Sequence, residues 1–180
     1  MKNLLFVLVI VFFTVGLTFK VSAQETATST VGCTVLIPIS LESVNAMNFG
    51  QLALQGEAAG TVTLSAAATT VAIISSNVAR ISGSLFSAAI FNVGGAADHG
   101  YNITSPTTID MVAKNGEGAL LGAMVMNEID VKSKSTELGT GGTLDGTGKD
   151  KIYVGGTLNL TENQFVGDYS GSFSLSVNYN

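Results

Sequence analysis

From Tyr169 to Asn180 large side chains and small polar ones alternate without a break. Successive side chains of a strand point to opposite sides, so Tyr169, Phe173, Leu175, Val177 and Tyr179 share one face and the serines and asparagines the other. The pattern predicts one β-strand over 169–180 with an apolar face turned to a core. A second alternation, Val31, Cys33, Val35 and Ile37 against Thr30, Gly32, Thr34 and Leu36, predicts the first strand; Pro38 marks its exit, since proline donates no backbone hydrogen bond. Between them lie short β-favouring runs at 45–49, 60–66, 70–75, 84–91, 101–104 and 108–112, then longer ones at 120–132 and 151–160. Gly-rich or Ser/Thr-rich breaks separate them about every ten residues, and helical periodicity is absent after residue 24. This spacing predicts an all-β sandwich or barrel. The Gly-rich stretch 138–150 reads as an exposed, mobile loop, and 162–168 as a turn into the last strand.

The opening of the chain changes where this fold is expected to work. Lys2 precedes an apolar run from Leu4 to Phe19, and Val21-Ser22-Ala23 supplies small residues. That is the order of a secretory signal peptide, with cleavage expected after Ala23. The apolar run is short for a membrane span. An uncleaved anchor fits less well with the polar, Thr-rich residues that come next, and the lipobox-like Thr30-Val-Gly-Cys33 lies too far past the apolar run. Residues 1–23 are thus expected to be a leader and 24–180 one domain, exported to the periplasm, the outer cell surface or the medium, with no transmembrane segment in the mature chain. Removing Lys2 and Lys20 leaves six basic against 13 acidic residues, a net charge of −7. Nucleic acid and anionic membrane surfaces are therefore not the expected partners. The single cysteine, Cys33, cannot form an intramolecular disulfide, and its place in an apolar alternation predicts a small buried side chain.

Chemistry is hard to assemble from the remaining residues. The lysine of the 138–150 loop is followed by neither Ser nor Thr, and no helix comes after it, so the loop does not read as a phosphate cradle. Asp145, Asp150 and Glu137 match no EF-hand spacing and read as turn residues. His99, the sole histidine, reads as a surface side chain; one Cys and one His fall short of a zinc set. Glu128 and Asp130 share a strand face, but acidic neighbours on exposed strands are usually just solvated, and the absence of Trp argues against a sugar cleft. Met124 and Met126 read as core filler. Asn102-Ile-Thr and Asn159-Leu-Thr match the glycosylation sequon, as chance allows in a Thr-rich chain. The expectation is no catalytic residue, no metal and no cofactor.

Several separated motifs carry a family resemblance: Pro38-Ile-Ser, Asn48-Phe-Gly, Gly60-Thr-Val-Thr-Leu-Ser, Phe91-Asn-Val-Gly-Gly with Tyr101-Asn-Ile-Thr, Val154-Gly-Gly-Thr-Leu, and Gly167 through Tyr179. In order and spacing the chain resembles the bacterial secreted "domain of unknown function forty-four-oh-two" family. The resemblance implies an exported, immunoglobulin-like β-sandwich without an established activity. The terminal strand also resembles the ends of chaperone-usher fimbrial pilins, with their penultimate tyrosine, here Tyr179. In those subunits an N-terminal extension of the next subunit fills a groove in the sandwich. This chain lacks the cysteine pair that many of them carry.

Export, sandwich patterning and the lack of assembled chemistry together predict a non-enzymatic structural protein of the envelope or surface, such as a fimbrial or matrix subunit. Its candidate strand-complementation residues are Val31, Cys33, Val35 and Ile37 on one side and Phe173, Leu175, Val177 and Tyr179 on the other. Its partners would be copies of itself or other surface subunits. The donor role requires the 31–37 strand to be free, because self-insertion avoids the translational and rotational cost of association and wins wherever geometry allows it. The alternative is a monomeric module presenting the 138–150 loop to a glycan or protein. A secreted hydrolase ranks last, since no nucleophile and base can be paired.

Overall fold

The computed structural model describes residues 23–56, 58–67 and 73–180. Most of the expected leader, and the start of the run expected at 70–75, lie outside the described residues. The chain divides at Thr34 and Val35 into two units. Residues 23–34 contain no regular element and their side chains are exposed. Among the described residues, every strand lies within 35–180 and no helix occurs.

The larger sheet is organised by one strand, β11 (Lys149–Leu160). Nearly every residue from Asp150 to Leu160 is buried, so its backbone has no access to water and must be paired on both edges. Along one edge runs β9 (Leu120–Ser133). The other edge is divided: Lys149–Val154 pair with β6 (Ala89–Gly94), and Gly156–Leu160 with β3 (Gly60–Leu64). All of these pairs are antiparallel. Beyond β6 lies β1 (Ser40–Asn45), beyond β9 lies β8 (Ile109–Lys114) and then the short β12 (Tyr169–Ser170), and beyond β3 lies β4 (Ile73–Ser76).

Two smaller sheets cover its core face. Strands β10 (Gly141–Thr143), β7 (Gly100–Thr104) and β13 (Ser176–Tyr179) form one, in that order. It packs Tyr101, Ile103, Val177 and Tyr179 against Val93, Val131, Ile152 and Val154. The pair β2 (Leu52–Leu54) and β5 (Val78–Arg80) is the other, and brings Leu52, Leu54 and Val78 onto Val62, Leu64, Met126, Leu158 and Leu160. The result is an all-β sandwich with two adjoining apolar clusters. Met47, Ile129 and Phe173 touch both.

Four expectations are corrected. Val31, Cys33, Val35 and Ile37 form no strand: residues 31–38 are exposed, and the first strand starts only at Ser40. A period of two marks a segment that can become a strand, but pairing needs a neighbouring edge, and β6 is taken by β1. Cys33 is accordingly exposed rather than buried. The terminal strand is broken, because Tyr169–Ser170 pair with β8 in the large sheet while Ser176–Tyr179 pair with β7 in the covering one. Residues 171–175 cross from sheet to sheet, and Gly171 makes the crossing by passing so close to the Asp110 carbonyl that a Cβ would lie 2.6 Å from it. Finally, 138–150 is a folded hairpin arm rather than an open loop. β10 pairs with β7, Leu144 is 1% exposed, and Gly142 leaves room for the Tyr101 phenol.

The point where the edge of β11 passes from β6 to β3 is held by Gly155. A Cβ there would overlap the carbonyl oxygen of Leu64 and crowd the backbone of Ser65 and Ala66. Opposite it, β9 bulges at Glu128, whose backbone is left-handed (φ 48°), and the Glu128 carboxylate accepts a 2.9 Å hydrogen bond from Thr157 Oγ1. Gly155→Ala is expected to cost about 1 to 3 kcal/mol or more in urea unfolding, since backbone must move to admit the methyl. Gly116→Ala, where a Cβ meets open space, is the control and should fall within about 0.5 kcal/mol of the parent.

Candidate functional site

Beside the end of β1 the interior is not filled. A cavity of about 280 Å³ opens between the end of β1, with Ser43, Asn45, Ala46 and Met47, and the crossing segment Gly171–Phe173. Its floor is apolar: Phe49, Ala89, Phe91, Ile109, Met111 and Met126. Phe91 and Phe173 meet edge to face across it, centroids 5.9 Å apart. The cavity is about twice the volume of engineered apolar cavities that take up benzene, so it has room for more than one aliphatic side chain. No charged residue lines it. Of the bordering segments, β1 is an edge strand of the large sheet and residues 171–175 belong to no strand.

At the other end of β1 the tail is pinned. The Tyr179 hydroxyl accepts a hydrogen bond from the Ala96 amide (2.6 Å) and donates one to the Ile37 carbonyl (2.7 Å). Gly95 makes this possible, because a Cβ there would occupy the place of the phenol oxygen. The His99 ring stands edge-on to Tyr179 at 6.0 Å, and its Nδ1 lies 2.8 Å from the Ala97 carbonyl. Of the candidate residues, Phe173 lines the cavity, Leu175, Val177 and Tyr179 are half-buried over the second apolar cluster, and Ile37 is held at its carbonyl by Tyr179. Val31, Val35 and Ile37 project their side chains to solvent at 97, 88 and 66% exposure. The cavity residues of β1, β6 and β8 were missed by sequence reasoning. Only a wide apolar spacing marks them, and it does not tell a lined cavity from a filled core.

A buried polar group lies under β10. Asp150 is 8% exposed and accepts hydrogen bonds from the Tyr101 hydroxyl (2.8 Å), Ser135 Oγ (2.5 Å) and the Lys151 amide (2.8 Å). The Ser135 oxygen accepts in turn from the Thr143 amide (2.9 Å), so the carboxylate ties β7, β10 and β11 together. Desolvation, then the hydrogen bond and charge of Asp150, push the Tyr101 phenol well above the usual tyrosine range. Two further acidic residues are engaged locally. The exposed Asp145 carboxyl is held below its usual range by the Thr147 hydroxyl first, then by the amides of Lys149 and Thr147. Asp130 accepts from the Ala66 amide (3.1 Å) and lies 3.7 Å from Lys132 Nζ. Among the described residues no group of three metal-ligating side chains converges. No helix among them is long and apolar enough to cross a membrane.

The family model for a domain of unknown function, DUF4402, matches residues 39–179. The chain belongs to that family. No curated protein and no solved structure matches it. The DUF4402 match begins one residue after Pro38, so it takes in both walls of the cavity and Tyr179 and leaves out the exposed apolar segment 31–37.

Tyr101 gives a pH dependence with a defined sign. Its pKa is raised on folding, so its contribution to stability is complete below about pH 10, where a free tyrosine is still protonated, and is lost as the pH climbs further. Tyr101→Phe should flatten the loss of stability between about pH 10 and 12 measured by urea unfolding. It should also cost about 1 to 3 kcal/mol at neutral pH, because Asp150 loses a donor in a buried site.

Proposed function

We propose that this DUF4402 chain is a secreted, non-enzymatic structural protein of the bacterial envelope or surface, a fimbrial or matrix subunit that assembles by β-strand complementation. One observation carries the reading: an apolar segment at strand spacing stands in solvent, while the sandwich has an unfilled apolar seam bordered by the edge strand β1. The leader-like start supports export, and the neutral polar surface suits packed assemblies.

The energetics are of the right size. Four apolar side chains moved from water into an apolar seam contribute about 6 to 12 kcal/mol at ~1.5 to 3 kcal/mol each. Joining two molecules costs an estimated ~4 to 15 kcal/mol. Hydrogen bonds along the added strand then decide the balance, as in strand addition generally. Residues 26–41 carry no charge, so the segment brings no unpaired ion into a seam without a counter-charge.

Purified native chain is expected to give ladders in detergent gels that survive without heating and collapse to one band on boiling. Val35→Asp, which would drive a carboxylate into the seam, should remove the ladder and leave the fold intact by circular dichroism. A native chain that is monodisperse and monomeric at all concentrations, with residues 31–37 freely exchanging, would sink the proposal.

A further inference from the structure

We propose that the cavity beside β1 is a binding site for a small uncharged alcohol, with an alkyl chain of about ten carbons on the apolar floor and a hydroxyl that donates to Asn45. Binding of this kind needs no added strand, so the site stands apart from the assembly reading.

Backbone keeps the cavity open. An unfilled space forfeits the contacts its lining could make, so it collapses where its walls can move. Here the walls are held. On one side the amide and carbonyl of Ser87 pair with Asn48, both at 2.8 Å, Ser87 Oγ donates to the Ala46 carbonyl at 2.9 Å, and the Asn45 side chain donates to the Ala88 carbonyl at 3.1 Å. On the other side Gly171 is already against the backbone of β8, where a Cβ would stand 2.6 Å from the Asp110 carbonyl oxygen, so the crossing segment can approach no further.

The lining defines the apolar part of the ligand. Met47, Met111 and Met126 offer unbranched, polarizable side chains that adapt to a flexible chain, and Phe49, Phe91 and Phe173 add broad apolar faces. No charged residue lines the cavity, so an ionised head group would find no counter-charge. An engineered cavity of about 150 Å³ takes up the six carbons of benzene. In proportion, about 280 Å³ has room for about eleven non-hydrogen atoms.

Asn45 defines the polar end. β1 bulges beside the cavity: its register with β6 passes from Ser43 opposite Phe91 to Asn45 opposite Ile90, and the bulge brings Asn45 into the cavity wall. The Asn45 amide nitrogen is engaged with Ala88, whereas its side-chain oxygen accepts a hydrogen bond from no residue among those described. A hydroxyl can donate to that oxygen and an ether cannot.

The test is titration of the purified Val35→Asp chain, whose cavity is expected to stay free of any added strand, with straight-chain alcohols from butanol to dodecanol, followed by calorimetry and by the methyl signals of isotope-labelled methionine. Affinity should rise about fourfold per methylene and stop rising at about decanol, where the cavity is full. The signals of Met47, Met111 and Met126 should move, and that of Met124, which does not line the cavity, should stay. Octanol should bind about three- to tenfold more tightly than heptyl methyl ether, which has the same number of non-hydrogen atoms, and Asn45→Ala should erase the difference. Ala89→Leu, which fills the cavity from β6, should abolish binding; if that crowded core does not fold, the Asn45→Ala comparison decides alone. The site is overturned by an absence of saturable binding, by an affinity that climbs unbroken to dodecanol, or by binding that leaves the three methionines unmoved. Equal affinity for octanol and the ether, or a preference that survives Asn45→Ala, overturns the alcohol assignment. The mass of the native chain is read separately, so either proposal can fail while the other stands.

Discussion

Backbone pairing on both edges of β11 is the constraint on which the rest of the sandwich depends. A strand buried along almost its whole length must find a hydrogen-bond partner for every amide and carbonyl, and β11 finds them in β9, β6 and β3. No single strand runs along its second edge. β6 and β3 share it end to end, and the change occurs at Gly155, where the Leu64 backbone comes in too close for any side chain. The bulge at Glu128 on β9 sits opposite the same place, so both edges are irregular at one level of the sheet.

The split edge is reflected above the sheet. Because β6 and β3 present their inner side chains in two groups, two separate covers form over them, β10-β7-β13 on one and β2-β5 on the other. The cavity remains where the chain crosses at Gly171–Phe173, beside the end of β1. A site of this kind is a consequence of topology. It needs no special residue, and it lies beside β1, an edge strand of the large sheet.

Tyr179 ties the end of the chain to the foot of β1. Its ring lies over the second apolar cluster while its hydroxyl bonds the Ala96 amide and the Ile37 carbonyl, so one side chain closes the sandwich and fixes the point from which the 31–37 segment departs. An aromatic with an apolar body and one polar tip suits such a place, where burial and a directed bond are needed together.

Much of the fold was legible in the sequence. The runs at 60–66, 101–104, 108–112, 120–132 and 151–160 became β3, β7, β8, β9 and β11 within a few residues, because alternation reports the period of the pleat and turn residues report its ends. The family was legible as well, from motifs spread over residues 38–179. The Gly-rich stretch at 138–150 was misread, since glycine marks equally an open loop and a place where backbone passes under a neighbour, here Gly142 under Tyr101. The terminal alternation was read correctly as to face and wrongly as to continuity: a period of two survives when a strand changes sheets, provided that the side chains keep their sides. The Val31–Ile37 alternation announced a strand where the structure has none. By itself the sequence determined which segments can be strands and which face of each is apolar, because those properties are local. Only the tertiary structure decided which strands found partners, where a cavity was left beside β1, and that Tyr179 meets Ile37 at the foot of β1, because pairing and proximity depend on contacts between residues far apart in the chain.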